Sequence, residues 1–175
     1  SLFKLSARRS DLVLTVSEYS RQAITRHFGI PAERVHVTPN GVDGFFAQDL
    51  EPVPGLVPGH YFVYVSRFEP RKNQHRLVRA FQKSRQDLPE NFKLVLVGYP
   101  ALEYPELYAE LEGAGSGVKL LNSLGGPALR WLYRHSAAAV YPSQAEGFGI
   151  PPVEAVAAGG VSYCADNTAL SDLAA

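Results

Sequence analysis

Seven short runs rich in β-branched, leucine and aromatic residues recur along this chain, and they restrict its fold more than any other feature. They are LVLTVS (12–17), RVHVTP (34–39), YFVYVS (61–66), FKLVLVG (92–98), VKLL (118–121), AAAVYP (137–142) and GVSYC (160–164). Several are apolar without a break, which is typical of strands in a sheet covered on both faces. Such sheets are built mainly from parallel strands.

The segments between most of these runs have the length of helices. Helices are predicted at about 18–28, 73–86, 103–113, 127–135, 151–158 and 168–174. Strands that alternate with helices indicate βαβ units, in which each helix crosses over the sheet. The sequence therefore predicts an α/β fold with a Rossmann-like, doubly wound parallel sheet.

One segment breaks this alternation. Residues 39–60, PNGVDGFFAQDLEPVPGLVPGH, contain four prolines and four glycines and show no helical or alternating pattern. We interpret residues 39–58 as an interdomain linker. Residues 1–38 would then be the last part of a preceding domain, and residues 59–175 the body of a second domain.

Composition excludes several classes of function. Lys plus Arg equals Asp plus Glu at 17 each, so the chain lacks the basic excess of a nucleic-acid-binding domain. The one cysteine rules out an internal disulfide, and the five histidines lack metal-ligand spacing. We therefore expect a cytoplasmic protein without a metal or a cofactor. Because the chain contains no Met, we also expect it to begin within a longer protein.

Positive charge is concentrated in one segment that follows a predicted strand. Five cations and a histidine lie there: Arg67, Arg71, Lys72, His75, Arg76 and Arg79. The segment contains a single carboxylate, that of Glu69. Arg67 leaves the strand end and Lys72 stands at or just before a predicted helix. Two fixed cations in this position suit a diphosphate and would stabilise its charge as a leaving group. For Arg71, Arg76 and Arg79 we favour a solvated helix face.

The most informative motif is PSQAEGFGIPPVEA at 142–155, between a predicted strand and a predicted helix. Proline is favoured at a first helical position, so Pro151 or Pro152 should open the helix. The helix amides and those of Gly147, Phe148 and Gly149 would then form an anion-binding lip at the carboxyl edge of the sheet.

Two carboxylates bracket this lip, Glu146 before it and Glu154 in the expected first helical turn. Carboxylates accept hydrogen bonds from hydroxyls, so the pattern suits a ligand with hydroxyl-rich groups on both sides of a phosphate. Each carboxylate alone is explained as well by structure, because the helix dipole favours Glu in a first turn and Glu-Gly is common in loops. The pair, with its glycines and prolines, favours a ligand site.

Two weaker candidates follow the neighbouring strands. Gly98 ends KLVLV, and its bare backbone would let a ribose or base approach closely. Asn122, Ser123 and Leu124 follow VKLL and could offer backbone groups to a base. A glycine after a strand is more often only a turn.

Together, TPNGVD, SRFEPRKN, LVLVG and YPSQAEGFGIPPVEA resemble the retaining glycosyltransferases of family 4, also called group 1, which have the GT-B fold. The resemblance runs from SDLVLTVSEYSR to TALSDL. It implies two facing Rossmann-like domains, of which this chain would supply the donor-binding C-terminal one, together with the end of the acceptor-side N-terminal domain.

The resemblance also implies roles for individual residues. Arg67 and Lys72 would hold the diphosphate of a nucleoside-diphosphate sugar, and Glu154 the ribose. Glu146 would bind hydroxyls of the donor sugar, and the lip formed by Gly147, Phe148, Gly149 and Ile150 would bind the sugar and the phosphate. The family needs no metal, and the leaving phosphate is thought to assist attack on the same face of the sugar.

The chain departs from the family pattern in places. Ser171-Asp172 stands where Pro-Glu is usual, and Gly159-Gly160 where a small residue and proline are commoner. The closing helices and the glycine-rich acceptor loop are absent, so we expect poor or no sugar transfer by this chain alone. Peripheral contact with the inner face of a membrane through the absent domain is left open. We expect the strands at 12–17 and 34–39 to dock on the remaining sheet or to pair between chains.

Two other functions were compared with this one. A Rossmann dehydrogenase fits poorly, because no G-x-G-x-x-G follows a strand and no acidic residue stands where a dinucleotide ribose requires it. A non-catalytic nucleotide-binding module of the same fold is the remaining alternative. It would have no need to keep Arg67, Lys72, Glu146 and Glu154 together.

Overall fold

The structure is a computed structural model that describes residues 2–42, 44, 49–100 and 103–173. Residues 43 and 45–48 of the predicted linker, and residue 174 of the last predicted helix, lie outside the described residues. The chain divides into two compact units. Unit 1 comprises residues 1–41, 145–149 and 166–175, and unit 2 comprises residues 42–144 and 150–165.

Unit 1 contains a βαβ element. Its strands and helices are α1 (Leu2–Arg9), β1 (Val13–Thr15), α2 (Glu18–Phe28), β2 (Val35–Val37) and, from the end of the chain, a short helix at Thr168–Ser171. The hydroxyl of Ser17 caps α2 by accepting a hydrogen bond from the Ser20 amide. Gly29 ends the helix at φ 65°, a left-handed conformation that favours glycine.

The pairing of the first two strands corrects one expectation. β1 and β2 form a parallel two-stranded sheet of their own, with Val13 opposite Val35. They do not join the five-stranded sheet of unit 2. The physical reason is that α2 provides the crossover connection that two parallel strands require. Helix α1 was not predicted from the sequence, because its run of eight residues, LFKLSARR, is too short for a clear helical pattern.

Unit 2 is a parallel five-stranded sheet with helices. Its strands are β3 (Tyr61–Val65), β4 (Lys93–Val97), β5 (Val118–Leu121), β6 (Ala138–Tyr141) and β7 (Ser162–Cys164). Its helices are α3 (Gln74–Lys83), α4 (Pro105–Ala114), α5 (Gly126–His135) and α6 (Ile150–Ala157), so the helix of unit 1 at Thr168–Ser171 is α7. The strand order β5-β4-β3-β6-β7 confirms the predicted Rossmann-like, doubly wound sheet.

The two central strands carry the most deeply buried side chains. Val63 and Tyr64 of β3 and Leu94, Val95 and Leu96 of β4 are fully buried. Burial on both faces explains why these runs are apolar without alternation. All seven predicted strands are present within a residue or two of their expected ends.

Residues 49–58 of the predicted linker pack on unit 2. Val53 is buried in the core of that unit. The Lys119 ammonium donates to the Pro54 carbonyl at 2.6 Å, and the Arg130 guanidinium pairs with Asp49 at 2.5 Å. These contacts fix the described residues of this proline-rich segment.

Gly160, two residues before the start of β7, provides a test of the packing in unit 2. A Cβ at Gly160 would lie 2.3 Å from the Tyr133 carbonyl oxygen and 3.1 Å from that of Ala155. We predict that Gly160→Ala lowers the free energy of unfolding by about 1 to 3 kcal/mol, because the backbone of α5 must shift. Chemical denaturation measures the change.

Gly113 in α4 is the matched control. A Cβ there meets only the end of the Gln82 side chain at 3.8 Å. Gly113→Ala should therefore raise stability by up to about 1 kcal/mol, as alanine replaces glycine in a helix. Equal effects of the two substitutions would contradict the packing described for Gly160.

Candidate functional site

The order of the strands determines where a ligand site is expected in unit 2. From β3 the chain continues to β4 on one side, whereas β6 pairs with β3 on the other side. Open parallel sheets bind ligands outside the carboxyl ends of their strands at this switch point. The loops that follow β3 and β6 are therefore the candidate site in unit 2.

The β3–α3 loop carries the two predicted cations, and its backbone is held from both ends. Arg67 is exposed, and its carbonyl accepts a hydrogen bond at 2.8 Å from the amide nitrogen of the buried Gln74 side chain. Lys72 ends a 3₁₀ turn at Pro70–Lys72, and its carbonyl accepts from the Tyr64 hydroxyl at 3.0 Å. The backbone of both cations is thus fixed by hydrogen bonds.

Two further hydrogen bonds join this loop to the loop after β6. The side-chain amide of Asn73 donates to the Pro142 carbonyl at 3.0 Å, and the backbone N–H of Gln144 donates to the Arg71 carbonyl at 2.8 Å. Asn73 adopts φ 64°, a left-handed conformation that asparagine tolerates better than most residues. Asn73 was not among the residues predicted from the sequence, although an asparagine directly before a helix is a recognisable signal.

Among the other cations, Arg71 and Arg79 have carboxylate partners. Arg71 pairs with Glu69 at 2.9 Å and Arg79 with Glu110, and the side chains of both arginines are half exposed or more. These contacts agree with a solvated helix face.

Helix α6 begins at Ile150, one residue before the predicted start, so Pro151 and Pro152 occupy its second and third positions. Since proline has no N–H, two of the four free amides of this helix start do not exist. The two that remain are the amides of Gly149 and Ile150. The anion-binding lip predicted from the helix start is therefore poorer in donors than expected.

Glu154 lies in the second turn of α6 and not in the first turn, because the helix starts four residues before it. The helix dipole therefore has little influence on this carboxylate. Its oxygen Oε2 accepts a hydrogen bond at 3.2 Å from the hydroxyl of Tyr133 on α5. Burial raises the pKa of Glu154, and the Tyr133 hydrogen bond acts in the opposite direction.

Unit 1 contains the remaining part of the motif, residues 145–149. The Gly147 carbonyl accepts hydrogen bonds from the hydroxyls of Ser17 at 2.7 Å and Ser20 at 3.3 Å. The Glu146 amide donates to the Thr168 hydroxyl at 3.1 Å. These bonds fix the loop against the starts of α2 and α7.

The glycine-rich loop keeps free donors. Within the described ranges, the amides of Gly147, Phe148 and Gly149 donate no hydrogen bond. Gly149 adopts φ 98°, which explains why glycine occupies this position. Free amides of this kind suit an anion or a hydroxyl oxygen.

Gly98 follows β4, where it was predicted to admit a ligand. A Cβ there would lie 1.9 Å from the Ser66 carbonyl oxygen, and φ is 149°. Glycine is therefore needed here because a side chain would collide with the backbone of the neighbouring β3–α3 loop. This structural reason was not visible in the sequence, because Ser66 and Gly98 follow different strands and are far apart along the chain.

Asn122 and Leu124 follow β5, the edge strand on the opposite side of β4 from β3. Asn122 is exposed, whereas Leu124 is partly buried and packs against the core of unit 2. With strands about 4.8 Å apart, the end of β5 lies roughly 10 Å from that of β3, a distance that a nucleotide can span.

The predicted site residues are thus divided between the two units. Unit 2 contains Arg67, Lys72, Gly98, Asn122, Leu124, Ile150 and Glu154, and unit 1 contains Glu146, Gly147, Phe148 and Gly149. In the part of the chain that the structure describes, no three His, Cys, Asp or Glu side chains are grouped so that they could hold a metal ion. No helix in that part is long and apolar enough to cross a membrane.

The chain is similar in sequence to bacterial mannosyltransferases. The chain is 32% identical over 171 residues to O-antigen chain mannosyltransferase B of Escherichia coli, covering 93% of this chain and 45% of that protein. It is also 32% identical over 161 residues to O-antigen chain mannosyltransferase RfbU of Salmonella typhimurium, covering 89% of this chain and 42% of the relative. The chain therefore spans less than half the length of these relatives.

Solved structures share the fold. Anabaena HepE, crystallised in complex with UDP and glucose, aligns with a TM-score of 0.80 at 24% identity, covering 97% of this chain and 48% of HepE. The sequence model described as Glycosyltransferase Family 4 matches residues 1–44. The model described as Glycosyl transferases group 1 matches residues 55–174, which is more than half of the chain. The chain therefore belongs to the group 1 glycosyl transferases, and its five-stranded Rossmann-like sheet is that of the C-terminal domain of the GT-B fold.

Proposed function

We propose that this chain provides the donor side of a retaining glycosyltransferase, which transfers a sugar from a nucleoside-diphosphate sugar to a saccharide or lipid-linked acceptor in glycan biosynthesis. The observation that carries the proposal is the β3–α3 loop, which holds Arg67 and Lys72 on fixed backbone at the switch point of the sheet. Residues 1–38 would be the end of the acceptor-side domain and residues 39–58 the linker.

Arg67 and Lys72 would bind the diphosphate. In the described chain the Arg67 guanidinium has no ion-pair or hydrogen-bond partner, so it is available to a ligand. Cleavage of the bond between the sugar and the phosphate leaves extra negative charge on the diphosphate. Cations held close to that charge stabilise the transition state more than the ground state, and this lowers the barrier.

Glu154 would accept hydrogen bonds from the ribose hydroxyls. One carboxylate oxygen already accepts from Tyr133, and the other has no partner among the described residues. A carboxylate with one oxygen fixed and the other available suits a neighbouring hydroxyl donor.

In unit 1, Glu146 would accept from hydroxyls of the donor sugar, and the free amides of Gly147, Phe148 and Gly149 would donate to sugar and phosphate oxygens. Ile150 adds the first amide of α6. Gly98, Asn122 and Leu124 would line the nucleoside, mainly through backbone groups.

The transfer itself needs no covalent intermediate on the protein. The acceptor hydroxyl oxygen would bond to the anomeric carbon on the face from which the diphosphate departs, and its proton would pass to a leaving phosphate oxygen. This route retains the anomeric configuration, and we propose that it requires no metal or other cofactor. Because the chain matches less than half the length of its relatives, we expect weak or no transfer by this chain alone.

Donor binding gives the first prediction from this proposal. We predict that the chain binds one nucleoside diphosphate, among UDP, GDP and ADP, at least about tenfold more tightly than the others, with or without EDTA. Calorimetric titration measures the affinities, and GDP-mannose and UDP-glucose then serve as the sugar-bearing probes. A dependence of binding on added divalent metal would contradict the metal-free site.

The alternative of a non-catalytic nucleotide-binding module gives a different result in the same titration. Such a module would bind the bare diphosphate as tightly as the sugar nucleotide, because nothing would recognise the sugar. A preference for the sugar nucleotide supports the transferase.

The second prediction separates the two carboxylates. Glu154→Ala should weaken binding of the bare nucleoside diphosphate by about 10- to 100-fold, as a charged acceptor for ribose is lost. Glu146→Ala should leave that binding within about threefold and mainly reduce the preference for the sugar nucleotide. Equal losses of bare-diphosphate affinity would contradict the assigned roles.

The third prediction concerns the cations. Arg67→Ala and Lys72→Ala should each weaken diphosphate binding by about 10- to 100-fold, and the salt dependence of the affinity should become less steep. The matched control is Arg76→Ala, because Arg76 is exposed on α3 just beyond the loop. A loss of affinity in Arg76→Ala as large as that in Arg67→Ala would indicate a general charge effect and contradict a specific site.

A further inference from the structure

Two buried tyrosines form a hydrogen-bonded chain that ends at Glu154. The hydroxyl of Tyr141 on β6 donates to that of Tyr133 on α5 at 3.4 Å, and the Tyr133 hydroxyl donates to Glu154 Oε2 at 3.2 Å. Both tyrosines are almost completely buried. Phenylalanine would fill the same space without a polar group to satisfy, so packing alone does not explain the two hydroxyls.

The direction of this chain is determined by the chemistry of its members. A phenol has one proton to donate, and Tyr133 already accepts from Tyr141. The proton of Tyr133 is therefore directed to Glu154. Burial raises the pKa of both tyrosines well above the ordinary value, so they stay protonated in the physiological range.

The effect on Glu154 follows from its surroundings. Burial raises the pKa of its carboxyl group, and the hydrogen bond from Tyr133 counteracts this. The charged or titratable groups near this hydrogen-bonded chain are Arg134 on α5, whose guanidinium donates to the Ala158 carbonyl, and two neighbours of Tyr141, Cys164 on β7 and Tyr64 on β3. Within the described residues no Lys or Arg pairs with Glu154, so the phenol is its stabilising partner.

We propose that Tyr133 is a positioning residue for nucleoside-diphosphate sugar binding: its hydroxyl fixes one oxygen of Glu154 by a hydrogen bond, so that the other oxygen accepts from the ribose. This inference rests on the ribose role proposed for Glu154. An ionised carboxylate can only accept, whereas a protonated one would turn one of its oxygens into a donor.

The test combines a direct titration with a binding profile. Carbon-13 NMR of labelled glutamate carboxyls, with Glu154→Gln assigning the signal, measures the pKa of Glu154 in wild type and in Tyr133→Phe. We expect a higher pKa in Tyr133→Phe, because a hydrogen bond to the ionised form is lost. An unchanged pKa in a folded variant would overturn the proposal.

Calorimetry with a nucleoside-diphosphate sugar, either GDP-mannose or UDP-glucose, gives the second measurement. These esters carry no phosphate group that titrates near neutral pH, so pH dependence reports the protein. Glu154 contributes to binding affinity above its pKa, and this contribution is lost as the pH falls through that pKa. In Tyr133→Phe this loss should move to higher pH, with affinity reduced about three- to tenfold at pH 6 and less at pH 8.

Tyr61→Phe is the matched control. Tyr61 is fully buried, and its hydroxyl donates at 2.8 Å to the Leu132 carbonyl of α5, the helix that contains Tyr133. Loss of that hydroxyl should leave the pH profile unchanged even if stability falls. A shift as large as that in Tyr133→Phe would indicate a general effect on α5 and overturn the proposal.

If Tyr133→Phe does not fold, site-specific 3-fluorotyrosine at position 133 replaces it. The more acidic phenol is a stronger donor, so the pKa of Glu154 should fall; a pKa that stays constant or rises overturns the proposal.

The same measurements distinguish a failure of the ribose role of Glu154 from a failure of the positioning role of Tyr133. If Glu154 does not bind the ribose, sugar-nucleotide affinity will be equal in wild type and Glu154→Ala, although Tyr133 still shifts the carboxyl titration. That result would overturn both the ribose role and the inference.

Discussion

The hydrogen bonds from Asn73 to the Pro142 carbonyl and from the Gln144 amide to the Arg71 carbonyl hold the candidate site of unit 2 together. At the switch point of a doubly wound sheet, the connections after two adjacent strands lead to opposite sides, so nothing in the sheet itself joins them. These two bonds do so. Since the loop that contains Arg67 and Lys72 is already ordered, a ligand that binds there need not supply that ordering free energy.

This arrangement has an energetic cost at the same place. Asn73 is left-handed at φ 64°, and its Oδ1 and the Oε1 of Gln74 are buried without a partner within the described residues. An unsatisfied buried acceptor costs about 1 to 3 kcal/mol. Asn73 also forms no side-chain cap on α3: a cap would use Oδ1 as the acceptor, and the side chain is bonded only through its NH2 group, to the Pro142 carbonyl. Residues in which local stability is reduced in favour of loop geometry are typical of functional sites.

The sequence was sufficient for most of the fold, because strand and helix signals are local. Unbroken apolar runs and helix-length gaps predicted the strands of both sheets and six of the helices, and the motif after β6 led to the family. What failed depends on contacts between distant residues: the pairing of β1 with β2, the position of Glu154 in the second turn, and the reason for glycine at 98. The chain from Tyr141 through Tyr133 to Glu154 was missed for the same reason.

The central claim is that a donor diphosphate binds at the carboxyl ends of β3 and β6, beside Arg67 and Lys72. A crystal structure of the chain with the nucleoside-diphosphate sugar that binds most tightly tests it directly. We expect both phosphates within hydrogen-bonding distance of the Arg67 guanidinium and the Lys72 ammonium, with the ribose at Glu154. A nucleotide bound instead in unit 1, for example in the cavity of about 330 Å³ lined by Glu18, Arg21 and His36, would contradict it.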